Sequence, residues 1–407
     1  MVNSVFSLLK GNKGLNKNIK LYLLTTLLIN IGFGVITADF NLYILSMDMS
    51  PDFLGIILSL TPFAQVIAAI PIGFLAEKAG NKNTLILVNL VVGFSYLLRV
   101  ISPIQTLILI GSFLIGTVRA GYFIVQMPFI SHYAGEQKDV EYTFTSIVFY
   151  SAMAIGNLIG GFFPAFLGSM IQGETLAYRV VLVGASLLII FGTTPLYFLD
   201  KDKPKDTSKI SLSPYLNGID KNTVKFAGIE FFLGAGLGFL MFFMNVIFVF
   251  YYNSSLQAYG TMSVLLIIPT VVFLIVGPAL AKKYNGLRVI IITRILCAVF
   301  ALLTIITTNA LIGASAYVVF RSLLGLGTTL WISFASSVAT RRSRTATATW
   351  LEITFQIGFV VAALFGGKLI ARGAYPALGI ISAVSMGISY VLTNLFFGKK
   401  YLTPLSE

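Results

Sequence analysis

Twelve long apolar stretches limit what this chain can become. They run over residues 20–47, 53–76, 83–101, 103–132, 142–168, 177–199, 224–252, 257–281, 288–307, 309–339, 346–370 and 375–398. A helix crosses the hydrocarbon of a bilayer with about 20 apolar residues. In lipid the backbone must satisfy its own hydrogen bonds, which leaves helices or closed barrels. A barrel shows short segments of strict alternation, whereas these stretches are long and continuously apolar. The sequence therefore predicts an all-α membrane protein with twelve transmembrane helices. Composition agrees. Only 11% of residues are charged, 57% are hydrophobic and the mean hydropathy is +0.90, whereas soluble domains carry about 25% charged residues. Disordered chains are poor in apolar residues, so disorder is excluded too.

The distribution of charge sets an orientation. The net charge is +13, which in a soluble protein suggests a nucleic-acid partner. With the N-terminus inside, 21 of the 28 Lys and Arg fall on inside segments, four (Arg99, Arg179, Lys368, Arg372) on outside ends, and three (Arg119, Arg294, Arg321) within spans. The positive-inside rule then puts both termini in the cytoplasm and accounts for the charge without nucleic acid. Leu21–Met47 is too long for a signal-peptide core and reads as a first span. The single cysteine, Cys297, allows no intrachain disulfide, and His132 is the sole histidine. With no G-x-x-x-x-G-K-[ST] stretch either, neither an enzyme nor a metal or other cofactor is expected.

One polar segment, D-K-D-K-P-K-D from Asp200, has the composition of a solvated linker. It predicts an N-terminal six-helix bundle (1–199), a cytoplasmic linker (200–223) and a C-terminal six-helix bundle (224–407). The two halves look like copies. Gly32, Gly34 and Asn41 match Gly236, Gly238 and Asn245 at an offset of 204, and Gly73 matches Gly277 at the same offset. Arg119 matches Arg321 at 202, and Gly160-Gly161 match Gly366-Gly367 at 206. Parallel repeats about the membrane normal are a transporter architecture, so the predicted fold is two pseudo-symmetric bundles.

The turn between spans 2 and 3 reads Gly73-Phe74-Leu75-Ala76-Glu77-Lys78-Ala79-Gly80-Asn81-Lys82. It resembles the G-x-L-A-[DE]-[RK]-x-G-R-[KR] loop of the major facilitator superfamily, departing from it at Asn81. Gly277-Pro278-Ala279-Leu280-Ala281-Lys282-Lys283 is a degraded second copy. The resemblance covers the whole chain. It implies a major facilitator fold and a conformational latch at Gly73, Glu77, Lys78, Gly80 and Lys82. Read physically, Gly80 frees the backbone for a tight turn, and Glu77 and Lys78 are charges near helix ends. Span 5, Gly156-Asn157-Leu158-Ile159-Gly160-Gly161-Phe162-Phe163-Pro164, is similar to the Gly/Pro motif of bacterial drug/proton antiporters, with Pro164 displaced. A small-residue packing face explains it equally.

Ionisable groups inside spans are costly and mark function. Arg119 and Arg321 sit in mid-span at equivalent positions, and guanidinium keeps its charge. The family resemblance lines a central cavity with spans 1, 4, 7 and 10. Arg119, Tyr122 and Gln126 share one helical face. The expected substrate-binding set is Asn41, Arg119, Tyr122, Gln126, Asn245, Arg321 and Trp331. Asp39 lies about 200° round the helix from Asn41, so Arg99 or Arg119 is its expected partner. Arg294 is expected to pair with Glu230 or Glu352, leaving the other as a proton carrier. The proton-coupling candidates are Glu230 first, then Asp39 and Glu352. His132 reads as an interfacial residue.

The expected function is secondary active transport by alternating access, through proton-coupled efflux of amphipathic or drug-like molecules. The phenylalanines of span 7 (Phe231, Phe232, Phe239, Phe242, Phe243, Phe248, Phe250) and the span-5 motif favour it. The alternatives are proton-coupled uptake of a sugar or small organic anion, and lipid export. A non-transporting receptor or scaffold lacks the soluble domain it requires. The expected partners are a small-molecule substrate, membrane lipid and a proton or other coupling ion. The chain is expected to act as a monomer in the cell membrane.

Overall fold

The structure is a computed structural model that describes residues 16–133, 138–171, 173–200, 219–340 and 343–402. Apart from the short turns that join them, these residues are helical. In the first half α1 is Lys17–Ser46, α2 (51–79) and α3 (81–101) are the two arms of Pro51–Ile101, α4 is Gln105–Tyr133, α5 Lys138–Gly168 and α6 Glu174–Gly192. In the second, α7 is Lys221–Met241, α8 Leu256–Leu265 with Ile267–Tyr284, α9 Gly286–Ile306, α10 Ala310–Val338, α11 Arg344–Ala371 and α12 Tyr375–Thr393. Eleven helices among the described residues are long and apolar enough to cross a membrane, and Gln105–Arg119 of α4 is a shorter apolar one.

Capping residues fix where the helices start. The side chain of Asn16 accepts from Asn18 N at α1, and that of Asp220 accepts from Thr223 N at α7. Each satisfies an N–H that the first turn leaves unpaired. The two caps are 204 residues apart.

Left-handed backbone recurs in the same way. Among the described residues six have positive φ, and they form three pairs: Asp48 with Asn253, Gly80 with Asn285, and Gly173 with Gly373. The offsets are 205, 205 and 200. Gly80 (φ 81°) breaks Pro51–Ile101 into two helices, as its place in the loop motif predicts. Asn285 (φ 70°) makes the equivalent turn in the second half; Asn tolerates this region better than most residues.

The described residues divide into two compact units. One lies within Met1–Met49, Phe63–Ile210 and Ser255–Ile267, the other within Ser50–Pro62, Ser211–Ser254 and Ile268–Glu407. Each unit thus takes the first turns of a helix from the other half of the sequence. In the first unit the start of α8 packs on α5, where a Cβ on Gly161 would stand 2.9 Å from Leu256 O and 3.2 Å from Gly260 Cα. In the second, a Cβ on Gly367 would stand 2.6 Å from Pro51 O and 2.8 Å from Gly55 Cα. The match between Gly161 and Gly367 is therefore a repeated close crossing.

Within the first unit α1 packs on α5 and α6, and within the second α7 packs on α11 and α12. Gly34 and Gly156 bring α1 and α5 together, and Gly234 and Gly358 do so for α7 and α11. A Cβ on any of the four would collide with facing backbone. Tight small-residue crossings of this kind are how helices associate in lipid. Each unit also has an aromatic core at the N-terminal end of its first helix. Tyr22 meets Phe129 at 5.0 Å in one, and Phe226 meets Trp331 at 4.9 Å in the other.

Span 7 departs from the expected continuous helix. It turns at Phe242–Phe243 and finishes as a π-helix over Ile247–Tyr251. Asn245 Oδ1 accepts from Val246 N inside this irregular stretch, and the missing side chain of Gly366 makes room for the Phe243 ring. Tyr251 and Tyr252 hydroxyls tie the end of the span to Ile305 and Thr304 carbonyls on α9.

Candidate functional site

Asp39 is wholly buried in the first unit, and neither carboxylate oxygen has a hydrogen-bond partner. It faces α5, where its Oδ1 would stand 3.1 Å from a Cβ on Gly160, and it lies in electrostatic reach of Tyr178 on α6. The expected ion pair with Arg99 or Arg119 is absent among the described residues. The guanidinium of Arg99 instead lies 3.6 Å from the Phe40 ring and 5.5 Å from the Tyr96 ring. Its stem packs where a Cβ on Gly111 would stand. Burial favours a cation over aromatic faces, because their quadrupole replaces part of the lost hydration.

Arg119 is exposed and Gln126 half-buried on α4. Asn41 and Asn245 are both buried. The side chains of Tyr122 and His132, and of Gly73 and Glu77 in the α2–α3 loop, lie outside the described ones. Lys78 is exposed. Lys82 donates to Tyr197 O at 2.7 Å and Leu199 O at 2.5 Å. Its ammonium therefore caps the last turn after α6 in its own unit, an attraction of cation for helix C-terminus. That is a local structural task, different from the latch the motif implies.

The second unit assembles a connected site. Glu230 on α7, only 5% exposed, borders a cavity of about 190 Å³ together with Thr328, Ser336, Thr347 and Glu352. That volume is below the roughly 300–1,000 Å³ of small-molecule pockets. Glu352 lies at its exposed edge and accepts from Gln356 Nε2 at 2.7 Å. Arg294 on α9 is in electrostatic reach of Glu230 without forming an ion pair. Its Nη1 donates to Ser389 O (3.3 Å) and to Thr393 Oγ1 on α12, and its guanidinium lies 4.1 Å from the Trp331 ring. The expected Arg294–glutamate ion pair does not form among the described residues: the hydroxyl and carbonyl of α12 and the indole hold the cation. The Trp331 N–H is near enough to Glu230 to interact with its carboxylate.

Trp331 itself is a correction. It was expected to stack on substrate, but it is fully buried among Arg294, Phe226, Phe334 and Phe397. The offset of 202 that pairs Arg119 with Arg321 also pairs Phe129 with Trp331, and Phe129 is core. Arg321 is half-buried near Tyr317 and Cys297. The sequence reading missed Thr328, Ser336 and Thr347. The stripe Thr328, Ile332, Ala335, Ser336, Ala339, at +4, +7, +8 and +11, marks the small, hydroxyl-bearing face of α10 that lines the cavity. No cluster of three or more His, Cys, Asp or Glu able to hold a metal occurs among the described residues.

Comparison with known proteins follows the geometry. The family profile described as Major Facilitator Superfamily matches residues 22–251. No curated protein matches the sequence. Among solved structures, a point mutant of the nucleoside transporter NupG superposes with a TM-score of 0.78 at 14% identity, over 94% of this chain and 100% of the other. A bacterial homologue of the human lysosomal transporter Spinster, inward-facing and occupied, gives 0.71 at 16%, over 95% and 98%. The E. coli fucose:proton symporter FucP gives 0.59 at 14%, over 93% and 98%. At these identities the likeness is one of fold.

Proposed function

The chain belongs to the major facilitator superfamily, and from that premise we propose that it is a proton-coupled secondary transporter taking up a small polar solute of the nucleoside or sugar kind. It works by alternating access of an N-terminal bundle (1–199) and a C-terminal bundle (224–407), with both termini cytoplasmic. The observation that carries the coupling is Glu230: a buried carboxylate in electrostatic reach of Arg294, opening on a small cavity.

Ionised Glu230 is stabilised by the field of Arg294. A proton arriving through the cavity past Glu352 cancels that attraction. The two protonation states then favour different conformations, and a ligand or proton shifts a population only by such a difference. Asp39 is the second candidate carrier. Asn41, Arg119, Tyr122, Gln126, Asn245 and Arg321 are the solute-binding candidates; the guanidinium groups suit hydroxyl or anionic oxygens through forked donation. Gly73, Glu77, Lys78 and Gly80 are the candidates for the conformational latch, with Lys82 held by the carbonyls of Tyr197 and Leu199.

Uptake is preferred to drug efflux for two reasons. Solved structures of this fold include a nucleoside transporter and a fucose:proton symporter. The features that favoured efflux are also used in packing. Phe239, Phe243 and Phe248 are buried in the second unit, and Gly160 and Gly161 of the span-5 motif serve close helix contacts.

The test is accumulation in proteoliposomes under an imposed pH gradient, with labelled nucleosides, sugars and amphipathic cations. Gradient-driven accumulation of a nucleoside or sugar is expected. Accumulation of the cations alone would reverse the reading to efflux.

A further inference from the structure

We propose that Phe242, Phe355 and Phe359 of the second unit form a stacking subsite for the planar base of a nucleoside. The proposal rests on the reading of the chain as a transporter of nucleosides or sugars, and it chooses between them. Phe355 on α11 lines the cavity that Glu230, Thr328 and Glu352 share. Phe359, one turn further along α11, has its ring centre 4.7 Å from that of Phe355, and Phe242 of α7 has its ring centre 4.9 Å from that of Phe359. The three rings therefore run as one aromatic stripe from the cavity along the crossing of α7 and α11.

That crossing makes room for the rings without needing them. A Cβ on Gly238 would stand 3.3 Å from the Phe359 ring and 3.5 Å from the Phe242 ring, so this glycine lets both lie beside the α7 backbone. The offset of 204 that matches Gly34 with Gly238 places Ala38 where Phe242 stands, and the offset of 206 that matches Gly160 with Gly366 places Met153 where Phe359 stands. With those residues α1 still packs closely on α5. The stripe is therefore an addition of the second unit to a packing scheme that both units share.

The stripe faces water rather than lipid. At 100° per residue, Glu352, Phe355 and Phe359 fall within about 60° of one another on α11. Ile357 and Leu364, both exposed, lie on the opposite side. An acid on the aromatic side marks it as aqueous, because ionisable groups in a span turn to the bundle interior or to a wet cavity. All three rings are half-buried, so each keeps part of its surface open.

Chemistry selects the occupant. Phenyl rings offer a planar aromatic ring an offset or edge-to-face partner, and the cavity beside them offers acceptors to its edge. The Thr328 hydroxyl donates to Leu324 O at 2.9 Å, so toward a solute its oxygen accepts. The Glu352 carboxylate is a second acceptor. Acceptors of this kind match the exocyclic amine of a base. A sugar meets them with its hydroxyls but has no π-face, so it gains less from three rings.

The test measures accumulation of labelled adenosine and of labelled ribose in proteoliposomes under a pH gradient. Phe359→Met, which takes the residue the first unit carries at that place, and Phe355→Leu should each raise the half-saturating concentration of adenosine about tenfold, as loss of a base–aromatic stack does, with the maximal rate unchanged. Phe359→Tyr, which keeps a ring, should preserve it, and Phe365→Leu, exposed elsewhere on α11, should leave it unaltered. Excess adenine should compete with adenosine, and excess ribose should not. Half-saturation unchanged in both Phe359→Met and Phe355→Leu, an equal loss in Phe359→Tyr, or competition by ribose alone overturns the subsite and leaves the transport reading standing. Accumulation of ribose without adenosine overturns the choice of a base, and accumulation of neither overturns the transport reading and the subsite together.

Discussion

In the first unit Asp39 is packed against Gly160 and Tyr178 with no cation paired to it, while Arg99 lies between aromatic rings with no acid. In the second unit Glu230 and Arg294 sit within reach of one another, and a cavity leads from Glu230 to Glu352. The backbones of the two units repeat each other down to their left-handed residues. Their buried charges do not. Duplication copies packing, because packing depends on small residues and ring positions that either half can use. A proton site needs an acid, a field and a route to water at one place, and only the second unit brings these together among the described residues.

The sharpest test of that contrast is transport. Glu230→Gln should cut gradient-driven accumulation by about a hundredfold, in the range for loss of a proton-transfer group, while solute exchange without a gradient persists. Asp39→Asn should leave accumulation within a few-fold of the parent. The reverse pattern would move the coupling site to the first unit.

Packing should fail alike in both units. Gly156→Ala and Gly358→Ala each push a methyl into facing backbone and should cost about 1–3 kcal/mol, read as lower melting temperatures in detergent. Gly228→Ala and Gly387→Ala meet nothing within 4 Å and should be neutral. A large difference between Gly156 and Gly358 would break the symmetry argument.

The loop turns should differ in a chosen direction. Gly80→Ala places a Cβ at φ 81° and should destabilise by about 1–2 kcal/mol. Asn285→Gly at the equivalent φ of 70° adds no backbone strain and should cost less, about 0.5–1 kcal/mol, for the lost side-chain bonds to Leu287 N and Tyr401 O.

The smallest effect separates the helix caps. Partial burial raises the Asp220 pKa, but the N–H and hydroxyl of Thr223 and the hydroxyl of Ser343 outweigh it and hold the carboxyl below its ordinary value. A carboxylate depressed by folding stabilises above its unfolded pKa of about 3.9, and the contribution is lost as pH falls through the folded value. Asp220→Ala should therefore cost about 1 kcal/mol at neutral pH, with the cost shrinking in acid. Asn16→Ala, at the uncharged equivalent, should cost a similar amount at both pH values. Thermal melts at two pH values check this.

The membrane class, the helix count and the repeat were legible in the chain itself. Hydropathy over 20-residue windows and constant offsets are properties of local sequence, and lipid leaves the backbone few choices. Gly80 was legible for the same reason, since a left-handed turn admits few residues. The site was legible only as a set of residue names. Glu230, Glu352 and Asp39 stood out as acids in apolar surroundings, but their neighbours did not. That Arg294 rests on Trp331 and Thr393, that Lys82 caps the turn after α6, and that Trp331 is core were decided by contacts between residues tens to more than a hundred positions apart. An apolar helix presents several faces of nearly equal hydropathy, so sequence fixes that a charge is embedded, and only packing fixes what it meets.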